Sequence, residues 1–127
     1  MPHVIALVDD LIFLSRIREA GRAAGIEVRA VRGASDLVDA ARQEGRLLLV
    51  DADSERLPWK AAIAALRAEP EVGALPVIAF VSHVCADHAE AARAAGASRV
   101  LARSAFVKEL PELVAQAAQH RAEEPVP

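Results

Sequence analysis

Short apolar runs alternate with longer amphipathic stretches along the chain. Runs of four or five apolar residues predict buried strands, and apolar residues three or four positions apart predict helices. The predicted strands are 4–8, 27–31, 47–50, 77–81 and 99–102. The predicted helices are 11–24, 36–43, 58–69, 87–95 and 107–121. Strands joined by such helices imply right-handed crossovers, so the pattern predicts an α/β three-layer sandwich with a parallel sheet.

Local features predict where the helices begin and end. The first helix should end at Gly25, with an inner face of Leu11, Ile12, Leu14 and Ile17. Ser35 is expected to cap the second helix, which Gly45 ends. Pro111 is tolerable in the last helix only near its first turn, which agrees with a start at about residue 107.

The composition predicts one domain with an aliphatic core. Of the 127 residues, 54% are hydrophobic but only 3% are aromatic. Residues 1–121 are predicted to form the domain, and 122–127 a disordered, charged tail. A net charge of −3 gives no basic excess for a phosphate backbone, so direct nucleic-acid binding is not expected. No signal peptide is evident and no apolar run approaches the roughly 20 residues that cross a bilayer, so a cytoplasmic location without membrane contact is expected.

Three carboxylates follow predicted strands. Asp9 and Asp10 come after the first strand, and Asp51 comes after the third. Because the carboxyl ends of parallel strands meet at one edge of the sheet, these acids are expected to share a pocket. Carboxylates there suit a hard cation and can supply a nucleophile. No glycine-rich phosphate loop follows the first strand, which argues against a dinucleotide site or a P-loop.

Several segments, in this order, resemble a response-regulator receiver domain. They are Val8-Asp9-Asp10, Leu47-Leu48-Leu49-Val50-Asp51, Ala68-Glu69-Pro70-Glu71, Leu75-Pro76-Val77-Ile78-Ala79 and Ala94-Ala95-Gly96-Ala97. The resemblance covers nearly the whole chain and implies a flavodoxin-like fold, with five helices and a five-stranded parallel sheet of order 2-1-3-4-5. A chain of this length is expected to be a stand-alone receiver without an output domain.

The resemblance also implies a chemistry. Asp9, Asp10 and Asp51 would hold Mg²⁺ together with the backbone carbonyl of Asp53, and Asp51 would be the phospho-acceptor. Asp53 itself is interpreted as a loop acid. The chain would not be an enzyme beyond its own phosphorylation from a donor. Its partners would be a sensor histidine kinase or phosphotransfer protein and a downstream protein target. They would dock on the fourth and fifth helices, the face through which a homodimer would also form.

Other positions depart from the receiver pattern. The hydroxyl expected at the end of the fourth strand falls on Val81, and Ser82 follows it by one residue as a weaker candidate. The expected lysine is Arg103, the proline after it is Ser104, and the expected aromatic is Val100. Arginine keeps the charge of lysine but is a wider, planar group.

These departures affect the relay, which is the set of residues that would convert phosphorylation into a changed surface. They leave the acid pocket intact. The pocket could bind Mg²⁺ while the switch that phosphorylation normally drives is weakened or lost. Arg103 could instead pair with Asp51 and hold the domain in one state. The sequence therefore predicts a receiver-like module with an atypical relay, which favours a receiver that is degenerate as a switch.

Two other interpretations remain. A small Mg²⁺-dependent phosphatase-like hydrolase, or a ligand-binding domain of the same topology, would also place acids at strand ends. Such hydrolases usually carry Asp-x-Asp after the first strand, whereas Asp51-Ala52-Asp53 lies on the third. His83-x-Cys85-x-x-His88 lacks a fourth ligand and the usual zinc spacing, so surface histidines and an inert cysteine are expected.

Overall fold

Five strands and five helices alternate in the computed structural model, which describes residues 1–82 and 86–119. They are β1 (His3–Leu7), α1 (Leu11–Ala24), β2 (Glu27–Ala30), α2 (Ala34–Arg42), β3 (Gly45–Asp51), α3 (Trp59–Arg67), β4 (Val77–Val81), α4 (Ala86–Ala95), β5 (Arg99–Ala102) and α5 (Arg103–Gln119). All strand pairs are parallel, in the order β2-β1-β3-β4-β5. The predicted fold and strand order are confirmed.

Alternate residues of the central strands enter two separate cores. In β1, Ile5 and Leu7 pack with α2 and α3, whereas Val4 and Ala6 pack with α1 and α5. This alternation follows from the two-residue period of a strand. The sheet is therefore covered on both faces, as its nearly unbroken apolar strands require.

All three phenylalanines of the chain form one cluster on the α1 and α5 face. Phe80 of β4 lies 4.4 Å from Phe106 of α5 and 5.0 Å from Phe13 of α1, measured between ring centroids. Because Phe80 is the register partner of Asp51, the cluster lies next to the carboxyl end of β3.

The first helix has the predicted bounds but a different inner face. Leu11 and Ile12 are 78% and 71% exposed, so their assignment to the inner face was wrong. Ile17 is buried as predicted, and Phe13 packs inward in the aromatic cluster. The first turn of α1 extends beyond the end of β1, and only one side of that turn meets the core.

The ends of α2 also differ from the prediction. Ser35 lies inside the helix, and Asp36 provides the capping interaction by accepting hydrogen bonds from the backbone N–H groups of Arg32 and Gly33. Glu44, with φ of 69°, takes the left-handed conformation after the helix, while Gly45 begins β3. Gly45 is required by close packing instead: an added Cβ would lie 2.7 Å from Ile5 Cδ1 and 2.9 Å from Ala41 Cα.

The last helix begins earlier than predicted. It starts at Arg103, directly after β5, so Pro111 lies inside the helix and not near its first turn. The described residues contain no cis peptide bond.

Some predictions fall outside the described residues. The predicted tail at 122–127 and the end of the domain at 121 lie there, as do His83 and Cys85. In the described part of the chain, no helix is both long enough and apolar enough to cross a membrane.

We expect Gly45→Ala to lower the free energy of unfolding by about 1–3 kcal/mol, because the new methyl group overpacks the contact between β1, α2 and β3. Gly33→Ala is the matched control. Its Cβ would meet only Pro58 Cγ at 3.9 Å, so a loss under about 1 kcal/mol is expected. Urea denaturation measures both, and equal losses would contradict the packing argument.

We expect Pro111→Ala to raise the free energy of unfolding by about 1–3 kcal/mol, because alanine restores an N–H donor for the helix and removes the ring. Pro70→Ala is the contrasting variant, since Pro70 lies in the turn after α3. That change should cost about 0.4–1 kcal/mol through the added entropy of the unfolded chain. A loss of stability in both variants would show that Pro111 is accommodated without cost.

Candidate functional site

The predicted acids lie at the carboxyl edge of the sheet. Asp51 is the last residue of β3 and is only 2% exposed. Asp10 precedes α1, where its Oδ1 accepts hydrogen bonds from the N–H groups of Ile12 and Phe13 at 2.9 and 3.2 Å. Asp9 is partly buried beside it. One Asp10 oxygen is thus engaged as a helix cap, while the other faces the site.

Arg103 connects these acids. Its Nη2 lies 3.1 Å from both oxygens of Asp51, and its Nη1 lies 3.8 Å from Oδ2 of Asp10. The guanidinium also stacks over Phe13 and Phe80, with Cζ 4.6 and 5.2 Å from the ring centroids. The planar group thus binds carboxylates through its edge and aromatic rings through its face. The structure therefore contains the ion pair between Arg103 and Asp51 that the sequence suggested as an alternative.

Asp53 places its carboxylate inside the site. Oδ2 accepts hydrogen bonds from the Ser82 backbone N–H at 2.6 Å and from Arg103 Nε at 3.3 Å. Oδ1 lies 2.9 Å from His88 Nδ1, and because an ionised carboxylate only accepts, that nitrogen carries the proton. The sequence interpretation of Asp53 as a loop acid therefore missed the central role of its side chain.

The positions that depart from the receiver pattern lie at the end of β4 and on β5. β4 ends at Val81, which is buried, and Ser82 follows the strand directly. Ser82 contributes its backbone N–H to the site. A cavity of about 130 Å³ lies between α4 and β5, and the described residues that line it include Val81, Ser82 and Val100. Neither valine can donate a hydrogen bond through its side chain.

Burial and hydrogen bonding shift the pKa values of Asp51 and Asp53 in opposite directions. Burial raises the pKa of Asp51, against the Asp53 N–H bond and the charge of Arg103. For Asp53, burial alone would raise the pKa, but hydrogen bonds from His88, Ser82 and Arg103 together hold it below its usual value. Asp53 is therefore the more firmly ionised of the two carboxylates.

The acids have the chemistry for Mg²⁺ but not the arrangement. Carboxylate oxygens are suitable ligands, yet the guanidinium of Arg103 lies among Asp10, Asp51 and Asp53. Within residues 1–82 and 86–119, no three His, Cys, Asp or Glu side chains converge as a metal site. The carboxylates suit Mg²⁺ chemically, but an ion would have to displace Arg103 from their oxygens, and the predicted Mg²⁺ site stays a prediction.

His88 is the second functional candidate that sequence reasoning missed. It was expected to be a surface histidine, and its side chain is 45% exposed, but its ring bonds to Asp53. One signal was available: His88 lies in the first turn of the predicted fourth helix, which begins at the same edge of the sheet as the acids. The partner could not be found from the sequence, because Asp53 had been assigned only a backbone role.

A larger cavity lies at the opposite edge of the sheet. It measures about 510 Å³, and its lining includes Arg46, Leu47, Ile78, Arg99 and Leu113. None of the acid-site residues lines this cavity. We therefore place the candidate site at the carboxyl edge, where the titratable groups converge.

The sequence matches no family model and no curated protein. Solved structures, by contrast, match over nearly the whole chain. The receiver domain of a sensor histidine kinase from Pseudomonas aeruginosa, which has Mg²⁺ coordinated in its active-site cleft, is 23% identical, with a TM-score of 0.74 and coverage of 94% of this chain and 98% of that one. A response regulator from Hahella chejuensis is 17% identical, with a TM-score of 0.77 and coverage of 94% and 96%. The receiver domain of NtrX from Brucella abortus is 19% identical, with a TM-score of 0.69 and coverage of 93% and 99%.

These structures establish the class of fold. The chain has the fold of response-regulator receiver domains, as the resemblance of its sequence segments implied. Fold alone does not fix function, which depends on the chemistry of the site.

We expect Asp53→Asn to lower the free energy of unfolding by about 1–3 kcal/mol at pH 7, because three charge-assisted hydrogen bonds lose their anion. The pKa of Asp53 is lowered in the folded protein, so its contribution is present above the ordinary pKa and lost as pH falls through the folded value. The difference from the parent should therefore shrink towards about pH 3, as measured by urea denaturation. Glu109→Gln, in an exposed pair with Arg99, should have a smaller effect at pH 7, and a pH-independent loss for Asp53→Asn would contradict the assignment.

Proposed function

We propose that this chain is a receiver-like signalling module of a two-component or phosphorelay system, which acts by docking to other proteins. The observation that carries the proposal is Asp51, a buried carboxylate at the end of β3 that is held by Arg103 at the start of α5. On a receiver fold, this pair lies where the acceptor and the conserved lysine are expected. The ion pair between Arg103 and Asp51 connects the acid site to α5, a helix that a partner could contact.

Mg²⁺ binding and phosphorylation at Asp51 belong to this proposal. Bound Mg²⁺ would offset the charge of a phosphoryl group. The residues proposed to hold it are Asp9, Asp10 and Asp51 with the carbonyl of Asp53. Arg103 contacts two of these carboxylates, so the guanidinium and the metal should compete for the same oxygens. The chain is proposed to have no enzymatic activity other than accepting a phosphoryl group.

We further propose that the relay is atypical. Val81 and Val100 are aliphatic where a hydroxyl and an aromatic ring are expected, and both line a small cavity beside α4. Any phosphorylation at Asp51 would therefore be poorly transmitted to the surface. The surface of α4, β5 and α5 is the proposed docking site for a kinase or phosphotransfer protein, for a downstream target, or for a second copy of the chain.

A phosphatase-like hydrolase is not favoured. Such an enzyme needs a second acid free to exchange protons with a substrate. Both oxygens of Asp53, the second acid of the Asp-x-Asp pair, are engaged by Ser82, His88 and Arg103. Its pKa is also lowered, which is the wrong direction for a general acid.

Titration with Mg²⁺, followed by Trp59 fluorescence, tests the competition. Trp59 is buried and packs in the same core as Ala52, the residue after Asp51. We expect weak binding by the parent and at least about tenfold tighter binding by Arg103→Ala, a change of about 1.4 kcal/mol. Arg99→Ala is the matched control, because it removes an equal charge at the opposite edge of the sheet. Equal affinities in Arg103→Ala and the parent would contradict the competition.

Addition of acetyl phosphate or beryllofluoride to the Mg²⁺-loaded protein tests the acceptor. A further fluorescence change that Asp51→Asn abolishes would support phosphorylation at Asp51. Metal binding without any donor effect would leave a module that docks without this switch. The absence of any Mg²⁺ response in the parent and in Arg103→Ala would overturn the metal pocket.

A further inference from the structure

The Asp53 carboxylate is surrounded by donors from three other parts of the fold. The backbone N–H of Ser82 comes from the end of β4, Nδ1 of His88 from the first turn of α4, and Nε of Arg103 from the first turn of α5. The Asp53 side chain is only 16% exposed. Three donors around one nearly buried anion form an oxyanion-binding site, which the chain fills with its own side chain.

The geometry points to Asp53 as an internal ligand of this site. Its carboxylate accepts hydrogen bonds from Ser82, His88 and Arg103, as a bound phosphoryl or carboxylate group would. The chain thereby joins the end of β4 and the starts of α4 and α5 to the loop after β3 without any added group. This inference goes beyond the proposed function, because it requires neither Mg²⁺ nor modification of Asp51.

Charge and geometry make the site specific for an anion. Without Asp53, three N–H donors would lose their acceptor, and two of them belong to a guanidinium and an imidazole. Of its carboxylate partners, Arg103 would keep only Asp51 and Asp10. An isolated small oxyanion that entered the vacated space would restore the lost hydrogen bonds and the same single negative charge. A tethered carboxylate acts at a high effective concentration, so a free anion can compete only where the tether is absent.

Formate rescue tests this inference. Asp53→Ala is titrated with sodium formate in the presence of EDTA, with chloride holding the ionic strength constant, while the ¹H–¹⁵N signal of the Ser82 amide is followed. We expect saturable movement of that signal towards its position in the parent, with half-saturation at ~10–100 mM, because the free anion loses the advantage of the tether. The parent should show no saturable response, since its own carboxylate fills the site.

Matched variants identify the site that formate binds. Asp39→Ala removes an equal charge from an exposed position on α2 and should behave as the parent does. Arg103→Ala in the Asp53→Ala background should raise the half-saturating formate concentration at least about tenfold, because a charged donor is lost. If Asp53→Ala does not fold, Asp53→Ser is used for the same titration, since its short side chain also vacates the site.

The inference is overturned if formate gives no saturable response in either folded Asp53 variant. It is also overturned if the parent and Asp39→Ala respond to formate as Asp53→Ala does, or if the loss of Arg103 leaves the half-saturating formate concentration unchanged. Because EDTA is present throughout, these outcomes are independent of the Mg²⁺ and phosphodonor experiments. The internal ligand and the receiver function can therefore fail separately.

Discussion

The hydrogen bonds between Arg103 and Asp51 are the interaction on which the arrangement of this site depends. A carboxylate as buried as Asp51 is costly to ionise unless a charged donor meets it. The sequence provides that donor at the first residue of α5, two strands away in the sheet from β3. The start of α5 is thereby coupled to the end of β3, across β4. Phe13 and Phe80 support the guanidinium from one face, so the aromatic cluster and the charged cluster stabilise the same position of the helix.

Arginine suits this position better than a point charge would. Its Nη2 reaches Asp51, its Nε reaches Asp53, and its Nη1 approaches Asp10, while its flat face stacks on aromatic rings. A lysine ammonium has three donors around one atom and cannot spread them over carboxylates so far apart. The same reach makes Arg103 a competitor of any cation, because it occupies oxygens that a metal would need. One arginine at this position therefore contacts three carboxylates and two aromatic rings.

The sequence predicted the fold better than it predicted the contacts of the site. The bounds of β4 and β5 agree with the prediction. β4 is a fully buried parallel strand with no polar alternation to blur its ends, whereas β5 is a partly exposed edge strand. The sharing of one edge by Asp10 and Asp51 follows from parallel topology alone. By contrast, the direction of a loop side chain such as that of Asp53 depends on its hydrogen-bond donors. Those donors come from the end of β4 and the starts of α4 and α5, which are distant in the sequence. Pro111 was misleading for a related reason: tertiary packing of Leu110, Leu113 and Val114 holds α5 together around a residue that would break an isolated helix.

The proposed internal ligand gives a physical reason for the proposed separation of the acid pocket from the switch relay. In a site that waits for a phosphoryl group, the donors at the ends of β4 and β5 gain an anion only on modification. Here Asp53 supplies that anion covalently, and the buried Val81 and the partly buried Val100 add no polar group that a second anion could recruit. The carboxylates of Asp51 and Asp53 therefore both accept hydrogen bonds from donors within the chain. A site whose donors are filled in this way favours one arrangement of α4 and α5, which is consistent with the proposed atypical relay.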